Sequence, residues 1–157
     1  MNKKHILICG ATGNLGRALV TYAQTLGDQG IDEWQPTWQV TTWSKHGHNN
    51  TTAVSLERWY ASGYALKQCQ PFDMVVMAHG IQQPATIKEY TPELWQNILA
   101  HNLTSCVALT YNLVALKKLC PNALLVYISS IQAQTPRAGR GMYAMAKAGI
   151  EALTKTV

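Results

Sequence analysis

Apolar and β-branched positions along the chain gather in five short runs, His5–Cys9, Gln39–Trp43, Thr52–Leu56, Asp73–Ala78 and Ala123–Ile128, which predict strands. Between them lie helical patterns over Asn14–Leu26, Glu57–Cys69 and a long stretch from Pro92 to Leu119, and a last one runs from Gly141 to the C-terminus. Thr91 suits the N-cap of the long helix, because Pro92 in the first turn sacrifices no hydrogen bond. Strands alternating with helices imply βαβ units and a parallel sheet. The runs Met74–Met77 and Leu124–Ile128 are almost wholly apolar, as strands are when helices cover both faces. Right-handed crossovers then give the strand order 3-2-1-4-5, with a switch point between the first and fourth strands.

Composition narrows the picture. The chain has 157 residues, 47% hydrophobic and 13% charged, and suits one domain over 1–157. The net charge is +5, but the basic residues are scattered, with only Lys3-Lys4 and Lys117-Lys118 adjacent. No basic stripe with interleaved aromatics speaks for nucleic acid. A mild basic excess suits an anionic small molecule. No run approaches the roughly 20 consecutive apolar residues of a membrane span, and Ile6–Cys9 is too short for a signal peptide core. Cys9, Cys69, Cys106 and Cys120 form no CxxC pair, which points to a reducing, cytoplasmic setting. His46 and His48 sit in a Gly/Asn-rich loop, and no metal site is expected.

The first strand runs straight into Gly10-Ala11-Thr12-Gly13-Asn14-Leu15-Gly16 and a helix. One glycine turns the chain sharply, another lets bare backbone approach a pyrophosphate, and a third lets the helix pack close to the sheet. The helix N-terminus then offers free N–H groups to the phosphates. The candidate phosphate cradle is Gly10, Thr12, Gly13, Asn14, Leu15 and Gly16, in a Rossmann-type α/β fold. The second strand ends in Trp43-Ser44-Lys45, where an enzyme selective for NAD usually places an acid on the ribose 2′-hydroxyl. A hydroxyl and a cation here, with Arg17 nearby, favour NADP(H) over NAD(H) through Ser44 and Lys45.

Four further segments follow in order: Met77-Ala78-His79-Gly80, His101-Asn102-Leu103, Ser129-Ser130 and Tyr143-Ala144-Met145-Ala146-Lys147. With the glycine loop they resemble the short-chain dehydrogenase/reductase family, over essentially the whole chain. The chemistry also makes sense of the residues directly. Hydride reduction of a carbonyl needs a proton donor to the developing alkoxide, and Tyr143 can be that acid. Lys147, one helical turn along, shares its face, and an ammonium there stabilises phenolate. Ser130 would hydrogen-bond the substrate oxygen. The resemblance adds a hold of Lys147 on the nicotinamide ribose, a water relay through Asn102, and cofactor contacts at Ala78, Gly80 and Tyr143.

The resemblance implies an NADP(H)-dependent oxidoreductase interconverting a small carbonyl and alcohol. Two alternatives stand beside it. One is a catalytically silent dinucleotide-binding or regulatory module. The other is a sugar-nucleotide epimerase or dehydratase fragment, because the GxxGxxG spacing resembles that longer branch. The chain departs from the family at His79, where Asn is usual and a structural role is expected, and at Ser55, where Asp often meets the adenine. The family usually runs about a hundred residues further. Ala146, Ile150, Leu153 and Val157 form an apolar stripe reaching the last residue. The expectation is therefore a domain truncated after the Tyr/Lys helix, inactive alone, with its fifth strand left as an apolar edge. The resemblance further implies a homo-oligomer, or cover from another chain; Ala144, Ala148 and Ala152, spaced by four, would allow close helix approach.

Overall fold

The computed structural model describes residues 3–28, 38–45, 52–53 and 63–157. His46, His48 and Ser55, residues 54–56 of the predicted third strand and 57–62 of the predicted second helix lie outside that set. The elements in chain order are β1 (Lys4–Cys9), α1 (Asn14–Asp28), β2 (Trp38–Ser44), β3 (Thr52–Ala53), α2 (Gly63–Lys67), β4 (Phe72–Met77), α3 (Pro92–Leu99), a π turn (Ala100–Thr104), α4 (Ser105–Ala115), β5 (Leu119–Tyr127), a 3-10 turn (Ile131–Ala133) and α5 (Gly141–Thr154).

The strands form one sheet in the order β3-β2-β1-β4-β5, every neighbouring pair parallel, as the alternating pattern requires. The two-residue period of β1 divides the core. Leu7 and Cys9 face one way, with Phe72, Val75, Met77, and Cys106, Leu109, Leu113 and Ile150 from α4 and α5. Ile6 and Ile8 face the other way with Val76, against Leu19 and Val20 of α1. Thr91 caps α3 as expected, accepting from the Leu94 N–H at 3.3 Å.

Two boundaries differ most from the pattern. The long helix ends at Ala115, not Leu119. Lys117 takes a left-handed φ of +53°, its N–H bonds Val114 O, and the Lys118 N–H bonds Leu113 O. This is the double closure usually built on glycine. Lys118 Nζ also donates to Cys69 O at 2.6 Å, tying this corner to the end of α2. β5 in turn starts at Leu119, which pairs with Phe72. The register then jumps so that Met74 pairs with Leu124, and Asn122 (φ +63°) absorbs the extra residues.

The continuous helical stretch Pro92–Ala115 is 24 residues long and holds an 18-residue window of mean hydropathy 1.2, long and apolar enough by those measures alone to cross a bilayer. It is not a run of consecutive apolar residues, since Glu93, Gln96, Asn97, His101 and Asn102 interrupt it. Its apolar positions Ile98, Cys106, Leu109 and Leu113 are buried inside the fold. β5 is the outer strand of the described sheet, with Leu124 exposed beside an open groove of about 460 Å³ that Val157 also lines. In the stripe of small residues Ala144 is buried, while Ala148 and Ala152 are exposed.

At the far end of the sheet from the glycine loop, His5 joins three strands. Its N–H bonds Asp73 Oδ2 (2.8 Å), and its ring spans Pro71 O (3.3 Å) and Thr41 Oγ1 (2.8 Å). A carbonyl can only accept, so Nδ1 carries the proton and Nε2 accepts from the Thr41 hydroxyl. Burial pushes the imidazole below its ordinary 6.5, against opposing pulls from the Pro71 carbonyl and Asp73. The folded state therefore favours neutral His5. Its contribution is complete above 6.5 and is lost as pH falls from there toward the lowered folded value. Melting curves at pH 7 and pH 5 should show a drop at the lower pH, and His5→Asn should remove part of that drop. An unchanged difference in the variant would contradict this account.

Candidate active site

The glycine loop is set by contacts that tolerate no side chain. Gly10 has φ +82°, and a Cβ there would lie 2.7 Å from His79 Cα and N. A Cβ on Gly16 would collide with Gly10 O. The Gly10 and Ala11 N–H groups both bond Trp43 O (2.8 and 3.2 Å), and Ala78 N–H bonds Cys9 O (3.0 Å). The ends of β1, β2 and β4 thus converge on one point. Arg17 N–H makes the first helical bond, to Gly13 O, so the N–H groups of Asn14, Leu15 and Gly16 come before any intrahelical acceptor. Arg17 folds its guanidinium onto Asn14 Oδ1 (2.8 Å). Beside the loop, Lys45 is exposed whereas Ser44 is buried, so Lys45 is the open group of the predicted pair. A backbone cradle that excludes Cβ atoms, at a helix N-terminus with a cation beside it, fits a dinucleotide phosphate.

The four predicted catalytic residues come from three places at the same sheet edge. Asn102 lies in the π turn, fully buried. Its Nδ2 donates to Ile81 O and Ile98 O (both 2.8 Å), and Oδ1 accepts the Ile81 N–H at 3.2 Å. The side chain staples the segment after β4 to the helix, with its amide protons fully used. A Cβ on Gly80 would lie 2.5 Å from Asn102 Oδ1 and 3.7 Å from Lys147 Nζ, so Gly80 is the gap through which these two residues approach.

Ser130 caps the 3-10 turn after β5, where its Oγ accepts the Gln132 N–H at 3.2 Å. The hydroxyl proton remains for an outside acceptor. Ser129 differs, because its Oγ already donates to Glu151 Oε1 at 2.7 Å. Tyr143 and Lys147 lie one turn apart on α5, with Lys147 Nζ 5.6 Å from the Tyr143 ring centroid. Lys147 is 3% exposed and donates to Ile128 O at 2.7 Å. Burial lowers its pKa, partly opposed by Cys106.

His79 is a structural residue here. Nε2 lies 2.8 Å from Ser105 Oγ and 3.5 Å from Cys106 Sγ. Ser105 Oγ donates to His101 O, so Nε2 carries the proton toward Ser105. Burial first, then the Lys147 and His101 charges, pulls its pKa down to about 3. The imidazole stays neutral, and Lys147 carries the positive charge of the pair. Sequence reasoning missed Glu151. The available signal was spacing alone: Tyr143, Lys147 and Glu151 are four apart on one helical face.

The profile of the family described as short chain dehydrogenase matches residues 43–157. The chain belongs to the short-chain dehydrogenase family. It is 34% identical over 87 residues to an acetoacetyl-CoA reductase of Rhizobium meliloti, covering 55% of this chain and 36% of that protein. It is 27% identical over 169 residues to a D-beta-hydroxybutyrate dehydrogenase of Cupriavidus necator, covering 99% of this chain and 64% of that one. A short-chain dehydrogenase/reductase from Vibrio parahaemolyticus superposes with a TM-score of 0.78 at 21% identity, over 96% of this chain and 67% of the other, and shares the fold. The chain thus spans between 36% and 64% of the length of these two curated relatives.

The geometry around Gly80 gives a direct test. Gly80→Ala should force Asn102 out of its staple and destabilise the protein by about 1–3 kcal/mol, as overpacking does. For a chain this size that is a melting-point drop of roughly 2–12 °C. In an Asn102→Ala background the same substitution should cost much less. Equal costs in both backgrounds would show that Gly80 and Asn102 are not in contact.

Proposed function

We propose that this short-chain dehydrogenase is an NADP(H)-dependent oxidoreductase interconverting a small carbonyl and its alcohol, acting in the cytoplasm as an oligomer or with cover from another chain. The observation that carries this reading is the convergence of Ser130, Tyr143 and Lys147 at the sheet edge that also carries the glycine loop. The nearby relatives whose names specify a reductase or a dehydrogenase support the reaction class. The exposed Lys45, and the lack of a carboxylate at the end of β2, support the cofactor preference.

When bound, a reduced nicotinamide would be the source of the hydride that the carbonyl carbon needs. The Ser130 O–H, its oxygen fixed by Gln132 N–H, donates to the substrate oxygen and orients the carbonyl. The Tyr143 O–H delivers the proton as negative charge gathers on that oxygen. Lys147 beneath the ring favours the phenolate that results, and its bond to Ile128 O holds the ammonium in place. Asn102 closes the back of the site, on the relay side of Lys147. In the alcohol-to-carbonyl direction each proton moves in reverse. The glycine loop, with Thr12, Asn14 and Leu15, would hold the pyrophosphate, and Ala78 and Gly80 would provide the floor at the end of β4.

Tyr143→Phe should lower kcat by about 100-fold or more, the usual worth of a positioned acid, while leaving NADPH affinity within about twofold. Binding without turnover by the unmutated full-length protein, across a broad panel of ketones and oxo esters, would favour a silent binding module. Lys45→Asp should weaken NADPH relative to NADH by at least about tenfold, the worth of a charged hydrogen bond to phosphate. Fluorescence titrations of the two cofactors measure this directly, and an unchanged ratio would assign Lys45 to solvent.

A further inference from the structure

Ser130 stands on a short stretch of backbone between β5 and the 3-10 turn, with no regular ladder of its own. Past the bond of the Ile128 N–H to Met77 O at 3.4 Å, the side chains that fix that stretch come from α5. Lys147 Nζ takes Ile128 O at 2.7 Å, and one turn further along the helix Glu151 Oε1 accepts the Ser129 hydroxyl at 2.7 Å. Gln134 Nε2, just past the 3-10 turn, reaches the other carboxylate oxygen at 3.5 Å. Two successive residues, Ile128 and Ser129, are thus gripped from one helical face, and Ser130 is the next in line. Tyr143 leads the same face. The interactions made by Glu151 use both carboxylate oxygens, and both partners flank the Ser130–Ala133 segment.

We propose that Glu151 is a positioning residue for Ser130: by accepting the Ser129 hydroxyl it locks the Ser-bearing segment onto the helix that carries Tyr143 and Lys147. The consequence is geometric. The substrate oxygen must meet the Ser130 and Tyr143 hydroxyls together, and these come from segments separated by the loop 134–140. Without Glu151 the Ile128 carbonyl still holds Lys147, but the bonds described from Ser129 onward are then local ones: Gln132 N–H to Ser130 Oγ, Ala133 N–H to Ser130 O, the Gln134 and Thr135 N–H groups to Ile131 O, and Arg137 N–H to Gln132 Oε1. Ser129, the residue beside Ser130, therefore has a separate task from Ser130. One serine donates to the helix and the other to the substrate.

The proposal rests on the hydride-transfer reading above for its kinetic consequence, though not for its structural one. Both can be measured on the full-length protein with NADPH and ethyl acetoacetate as the probe substrate. Glu151→Ala should lower kcat at least about tenfold, as loosened alignment of reacting groups does, with KM and NADPH affinity changed less than about twofold. Glu151→Gln keeps a carbonyl acceptor for Ser129 and should recover most of the loss. Ser129→Ala should reproduce Glu151→Ala, and the double variant should fall no further than either single. A kcat within twofold of wild type for Glu151→Ala, no recovery in Glu151→Gln, or multiplicative losses in the double variant would overturn the proposal. Should the unmutated protein turn over no probe, amide hydrogen exchange decides. Glu151→Ala must then speed exchange at Gln132 and Ala133 at least about tenfold with little change in β4, and equal protection would refute the lock.

Discussion

Everything at the active edge depends on one close approach, that of the Gly10 backbone to the start of the segment after β4. There is no space for even a methyl group between Gly10 and His79. That contact is possible only because β1 lies between β2 and β4, so that the chain leaving β1 can bond Trp43 O on one side and press on Ala78-His79 on the other. The loop, the start of α1, the end of β2 and the end of β4 are consequently positioned by one another. A phosphate held by the loop and a carbonyl held over Tyr143 would then share a single frame, since His79 also bonds the first turn of α4 and Asn102 staples the residue after Gly80.

The electrostatics depend on burial. Two basic side chains lie close together under the site, and the interior supports one charge. His79 gives way, its ring neutral and bonded to Ser105, which leaves Lys147 as the cation beneath the tyrosine. The Asn that the family usually places at this position could not titrate at all. A histidine serves the same structural end only because desolvation and its cationic neighbour keep its proton count fixed at neutral pH. His5, at the opposite end of the sheet, is kept neutral by burial in the same way.

The sheet order was legible because its determinants are local and periodic: five apolar runs, helical spacing between them, and a glycine loop marking the switch point. The candidate catalytic set was read as a spacing, although Tyr143 and Lys147 alone would mean little. The features that escaped the sequence depend on contacts between distant segments. Nothing near Lys117 announces a helix end, because its left-handed backbone is maintained by Lys118 reaching the carbonyl of Cys69. Leu119 reads as a helical position and turns out to pair with Phe72. The partnership of Ser129 and Glu151 joins residues 22 apart, and only the folded loop shows that the first serine of the pair is occupied. Ser44 looked like a phosphate ligand by type and place, but it is buried.

The π turn at Ala100–Thr104 has a consequence for how this helix could change over generations. In it the Ser105 N–H reaches back five residues to Ala100 O, one more than an ordinary turn spans. The turn behaves as a single inserted codon held in mid-helix, taking up the roughly 100° by which one extra residue would otherwise rotate α3 relative to α4. Losing one codon between 100 and 104 would not shorten a loop. It would heal the helix and leave Ile98 and Leu109 on the faces they now occupy, and the loss would fall on the turn itself, where the Asn102 amide reaches Ile81. The irregular turn thus fits Asn102 to its place without turning the helices on either side, although by pattern alone it lies in the middle of an ordinary helix.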